Sequence, residues 1–142
     1  NLKLIVLIGR GVKKNNKIFR FTKLNNVKLI SKSDNIKQYF DASDISIVSG
    51  GIVMFESIAS GKITFVCKTS EHQKYAINFF LKKNLVKYIG PTEKINKKII
   101  YYYLDNIRIL KNLNKHCFES GVRIIDGDGT YRVNNIINKY IQ

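Results

Sequence analysis

Short apolar runs recur along the chain at 4–8, 27–30, 45–48, 63–67 and, more weakly, 86–89. They are too brief for buried helices. They are also too continuous for strands with one wet face, which alternate apolar and polar residues. Such runs suit strands covered on both sides. Between and after them lie helical patterns at 36–42, 52–60, 72–83, 93–104, 107–120 and 131–141. Strand and helix alternating in this way restrict the chain to the α/β class: a Rossmann-like open parallel sheet with helices on both faces. Gly61 is expected just past the second helix, Thr92 after Gly90-Pro91 as the cap of the fourth, and Thr130 as the cap of the last.

With 142 residues, 44% of them hydrophobic, the chain has enough material for one core, so residues 1–142 are expected to form a single lobe. No apolar run approaches the ~20 residues that span a bilayer. The chain has no starting Met and enters a strand at once, from which we expect a piece of something longer. The formal charge of +15 brings nucleic acid and anionic membrane into consideration. Its lysines, however, are spread over the whole length, commonly beside asparagine, and arginine stands only at Arg10, Arg20, Arg108, Arg123 and Arg132. That pattern reads as a solvated compositional bias and against a nucleic-acid footprint; peripheral contact with a membrane stays open. Cys67 and Cys117 belong to no metal-type cluster, and Cys67 ends an apolar run as a small hydrophobe. A reduced, cytoplasmic context is expected.

The strand–turn–helix over 44–56 carries the clearest chemistry. Ser49-Gly50-Gly51 should sit at the carboxyl end of a strand, where ligands of parallel sheets bind, and should open a helix. Free amides and the positive end of the dipole suit phosphates there, and residues without side chains admit a close approach. The alternative is a tight turn serving only the fold. Glu56, about one helical turn further on, is placed to accept hydrogen bonds from a vicinal diol such as ribose, or else is merely solvated. After the next strand, Ser70 reads as a helix cap with Glu71 in the first turn, and His72 and Gln73 should face the same crevice.

Other motifs are weaker. Asp126-Gly127-Asp128-Gly129 fails as a calcium loop, since Tyr131 and Ile137 occupy the places that need Gly and Glu. Gly9-Arg10-Gly11 lacks the third glycine of a dinucleotide fingerprint, and His116 lies on a lysine- and asparagine-rich helix. Tyr101-Tyr102-Tyr103 reads as core plus rim. No Ser/His/Asp or Cys/His arrangement and no carboxylate pair stands out. Binding chemistry is readable; a catalytic group is not, and no cofactor or metal is expected.

Taken in order, these residues resemble the C-terminal half of GT-B sugar-nucleotide enzymes. The likeness is to the UDP-sugar hydrolase of the pseudaminic acid pathway and its spore-coat polysaccharide relatives, and more distantly to the lipid-II-forming N-acetylglucosaminyltransferase. It is carried by Asn26-Val27-Lys28-Leu29-Ile30, Asp34-Asn35-Ile36, Ala42-Ser43-Asp44, Ser49-Gly50-Gly51 with Glu56, Glu71-His72-Gln73, and the closing Asp126-Gly127-Asp128-Gly129-Thr130-Tyr131-Arg132. The resemblance implies a UDP-sugar held between two lobes. Backbone around Ile30 and Ser31 would meet the uracil, Glu56 the ribose, the Ser49-Gly50-Gly51 turn the diphosphate, and His72 and Gln73 the sugar. It implies that water attacks the anomeric carbon and UDP leaves, with the catalytic histidine in an N-terminal lobe supplied in cis or as a separate subunit. This chain alone would then be inactive. In the transferase relatives an Asn closely follows the Gln; here Ala76 lies near that place and Asn78 two residues later. A glycosyltransferase with a lipid or glycan acceptor is the alternative on the same fold, and a non-enzymatic basic domain for nucleic acid the alternative of another class.

Overall fold

The computed structural model describes residues 2–9, 17–31, 33–106 and 113–141, and of 113–116 and 118 the backbone alone. Arg10, Gly11 and residues 107–112 of the helix expected over 107–120 lie outside the described residues, as does the side chain of His116. The chain divides into two compact units, Asn1–Tyr39 and Phe40–Gln142.

In the first unit, strands β1 (Leu4–Leu7) and β2 (Val27–Ile30) pair in parallel, Leu4 opposite Val27 and Leu7 opposite Ile30. The pairing is extended by the Ile8 amide, which donates to the Ile30 carbonyl at 2.8 Å. A 3₁₀ segment at Lys17–Lys23 precedes β2. Helix α1 (Lys37–Asp41) spans the division in sequence.

The second unit holds a three-stranded parallel sheet in the order β3 (Ile45–Ser49), β4 (Ile63–Lys68), β5 (Val86–Pro91). Helices α2 (Ile52–Ala59) and α3 (Lys74–Lys82) make the crossovers, followed by α4 (Lys97–Asp105), α5 (Leu113–Ile124) and α6 (Gly129–Ile141). Side chains of β4 alternate between two cores, as strand geometry requires. Val66 joins Met54, Ile58, Ile77, Phe80, Leu85 and Val86 under α2 and α3. Ile63 and Phe65 join Ile89 on the other face, packed against Ile99, Ile100 and Tyr103 of α4. Helices therefore cover both faces, as the continuous apolar runs require. Tyr103 is the core member of the tyrosine run, its hydroxyl donating to the Tyr88 carbonyl at 3.1 Å, while Tyr101 and Tyr102 are exposed. Every residue of α6 is exposed.

Two caps differ from the sequence reading. Thr92 lies in a 3₁₀ turn and donates its hydroxyl to the Lys68 carbonyl; the cap of α4 is Asn96, whose side chain accepts from the Ile99 amide at 3.2 Å. Helix α6 begins at Gly129, so Thr130 is inside it. Gly61 does follow α2 with φ +67°, its amide donating to the Ile58 carbonyl at 2.9 Å.

Between α2 and the sheet runs a buried chain of hydroxyls. Ser46 Oγ lies 2.5 Å from Ser57 Oγ, Ser57 Oγ 2.7 Å from Thr64 Oγ1, and Thr64 Oγ1 donates to the Lys62 carbonyl at 3.0 Å. The last bond fixes the direction: Ser46 donates to Ser57, and Ser57 to Thr64. Every hydroxyl hydrogen is used. Ser57→Ala would orphan the buried Ser46 hydroxyl but for its long 3.5 Å contact with Thr64 Oγ1, and should cost about 1–2 kcal/mol in urea unfolding. Adding Ser46→Ala should then cost less than it does alone, because the orphan disappears. Additive losses would contradict the directed chain.

Candidate functional site

The carboxyl ends of β3 and β4 lie side by side, Ser49 opposite Cys67. The segments leaving them, Gly50-Gly51 and Thr69–Gln73, therefore meet at one rim of the second unit. The Gly50 amide is consumed by the sheet, donating to the Cys67 carbonyl at 3.0 Å. Its missing Cβ is also spoken for: an added one would lie 2.6 Å from Ile77 Cδ1 and 3.2 Å from Gln73 Cβ. Gly50 thus serves the approach of α3, whereas sequence reasoning held its bareness open for a ligand. Gly51 is different. Among the described residues a Cβ there would meet only Gln73 Nε2 at 3.9 Å and Ser49 Oγ at 4.0 Å, so they leave the space above it open and edged by polar atoms.

Gly51 precedes α2 in extended backbone, and among the described residues no side chain caps the helix or places an acid in its first turn. The Met54 amide donates to the Gly51 carbonyl at 3.0 Å, while the Ile52 and Val53 amides before it have no partner inside the helix, and the positive end of the dipole meets no carboxylate of the helix's own first turn. Gln73 completes the rim. It is buried, and its Oε1 accepts from the Thr69 amide at 2.9 Å and the Thr69 hydroxyl at 3.1 Å. Two donors on one oxygen determine which way the amide points, so Nε2 is the atom turned to Gly51. Sequence reading named Gln73 but missed Thr69. The available signal was a hydroxyl residue four places earlier, at the strand end.

Glu56 is the fifth residue of α2, about 6 Å along the axis from Ile52 at the helical rise. It is exposed, and among the described residues its carboxylate has no hydrogen-bond partner. His72 is also exposed, its ring within 3.2 Å of Ser70 Oγ. Ser70 sits at the cap position, but its hydroxyl meets the imidazole and does not cap the 3₁₀ turn. Glu71 pairs with Lys68 at the end of β4, which raises the lysine pKa and lowers that of the glutamate. Ser49 is half-buried beside the turn. The structure thus brings Ser49, Gly51 and Gln73 together, and places Glu56 and His72 exposed on elements that start from the same rim. Ile30 ends β2 and Ser31 follows it, exposed, in the first unit.

The closing aspartate–glycine motif has a different task. Asp126 receives both terminal nitrogens of Arg132, at 2.7 and 3.0 Å, and the Asp128 amide at 3.0 Å. Arg132 foremost, then the Asp128 amide, holds the carboxyl down at about 2. Its oxygens are committed to tying the loop to α6. A cavity of ≈ 500 Å³ lies beside this loop, walled by Phe55, Tyr75, Phe79 and Phe80.

Parallel pairing, helices on both faces and a bare strand–helix turn at the carboxyl rim define one class of fold: a Rossmann-like α/β lobe of the GT-B kind. The chain superposes on the crystal structure of the glycotransferase of kitacinnamycin with a TM-score of 0.68 over 96% of its own length and 42% of that chain, at 12% identity. That likeness bears on the fold. In sequence the chain is similar to the spore coat polysaccharide biosynthesis protein SpsG of Bacillus subtilis (strain 168), 25% identical over 118 residues, or 83% of this chain and 35% of that protein. It therefore spans well under half the length of either relative. No protein-family model matches it. Among the described residues no helix is long and apolar enough to cross a membrane.

Proposed function

We propose that the chain is the UDP-sugar-holding lobe of a UDP-sugar hydrolase of surface polysaccharide or nonulosonic acid biosynthesis, acting with a second lobe that supplies the catalytic histidine. The observation that carries this reading is the uncapped start of α2, with Gln73 Nε2 turned to open space over Gly51. The Ile52 and Val53 amides receive the diphosphate together with the Gln73 nitrogen, which the resemblance alone puts toward the sugar; Glu56 takes the ribose hydroxyls, and His72 stands toward the sugar. Ser49 borders the diphosphate. Water attacks the anomeric carbon, the bond to the diphosphate oxygen breaks, and the charge arriving on UDP is stabilised by donors already in place. A spore-coat polysaccharide relative supports this class of pathway.

A transferase is the second reading, favoured by the glycotransferase likeness. Calorimetry on the full-length natural protein should show UDP binding that changes little with salt, with negligible DNA binding; absent UDP binding overturns both readings. UDP-sugar consumed without any acceptor supports hydrolysis, and consumption only with an acceptor supports transfer.

A further inference from the structure

Gln73 is a buried amide whose two ends meet different surroundings. Its oxygen is taken up by the Thr69 amide and hydroxyl, at 2.9 and 3.1 Å. Its nitrogen, which can only donate, is the atom nearest the open space over Gly51. We propose that Thr69 is a positioning residue that locks the Gln73 amide in one orientation, making Gln73 an obligatory donor to a phosphate oxygen at the Gly51 turn. This rests on the nucleotide-sugar reading above for the identity of the acceptor, but the lock itself is a property of the unliganded protein.

The lock predicts a particular failure for Gln73→Glu. One carboxylate oxygen keeps both Thr69 donors, so the other is left facing Gly51, an acceptor where a donor is needed and an anion beside phosphate. UDP affinity of this variant, taken as a ratio to wild type, should fall about tenfold or more at pH 8. Protonation turns that oxygen into a donor, and neighbouring phosphate raises the pH at which this happens. The ratio should therefore recover on going to pH 5.5. Thr69→Val removes one of the two anchors and should weaken UDP binding about two- to fivefold, with Thr69→Ser restoring it.

In the protein without ligand, NMR should show a contact between the Gln73 side-chain NH₂ and Gly51 Hα, lost or averaged in Thr69→Val and regained in Thr69→Ser. A Gln73→Glu protein that binds UDP like wild type at pH 8 overturns the donor role. An NH₂ signal equally averaged in wild type and Thr69→Val overturns the lock. If wild type binds no UDP, the nucleotide reading falls with the donor role, while the NMR arm still decides what Thr69 does.

Discussion

Gly121→Ala is expected to destabilise the second unit by about 3 kcal/mol, an unusual direction for a glycine inside a helix. Alanine ordinarily stabilises a helix by about 1 kcal/mol over glycine. Here a Cβ would lie 2.3 Å from the carbonyl oxygen of Ile58 and 3.3 Å from its carbonyl carbon. No rotamer relieves a clash with backbone, so α5 and the end of α2 must separate. That carbonyl also accepts from the Gly61 amide, the bond that closes α2. Ile58 itself is almost wholly buried in the α2–α3 core. Overpacking of this kind costs roughly 1–3 kcal/mol and occasionally more, and lost packing around Ile58 adds to it. Gly129→Ala is the control: nothing among the described residues lies within 4 Å of its would-be Cβ, so it should be neutral or stabilising by up to about 1 kcal/mol. Urea unfolding of both variants measures the difference. A Gly121→Ala protein as stable as wild type would mean that α5 does not rest on α2 as described.

The contrast between these glycines shows where sequence reasoning stops. Strand and helix order was legible because it rests on local periodicity: the run at 27–30 is β2 residue for residue, and the run at 45–48 falls one residue short of β3. Gly61 was legible because a cap needs only its own backbone. Gly50 was placed correctly at the turn, but its reason was not legible, since Ile77 approaches it only after α3 has folded back. The cap of α4 was misplaced because Ile95, extended at ψ 126°, separates the turn at Thr92 from the helix begun at Asn96. The directed hydroxyl chain and the Thr69–Gln73 bond were invisible for the same reason. Each joins side chains whose distance is set by tertiary packing, and serine or threonine in a strand carries no mark of its partner.

Glu56→Ala should weaken UDP binding by about 1–2 kcal/mol, roughly 5- to 30-fold, without changing stability. The stability half follows from exposure: among the described residues the carboxylate holds nothing in the protein. The binding half must survive an objection, because an acid near a diphosphate also repels it. Glu56 lies one turn beyond the amides at the start of α2. At about 6 Å in water, each pair of unit charges costs about 0.7 kcal/mol, and physiological salt roughly halves this. Two phosphate charges then oppose binding by about 0.7 kcal/mol, against ~1.5–3 kcal/mol for a charged acceptor on ribose hydroxyls. The hydrogen bonds win, by a margin that shrinks when the hydroxyls are fewer. Wild type should therefore prefer UDP to its 2′-deoxy analogue, and Glu56→Ala should bind the two alike. Calorimetry of two proteins with two ligands closes this cycle. Discrimination that persists without the carboxylate would assign the ribose to another residue, and affinity unchanged for both ligands would remove Glu56 from the site.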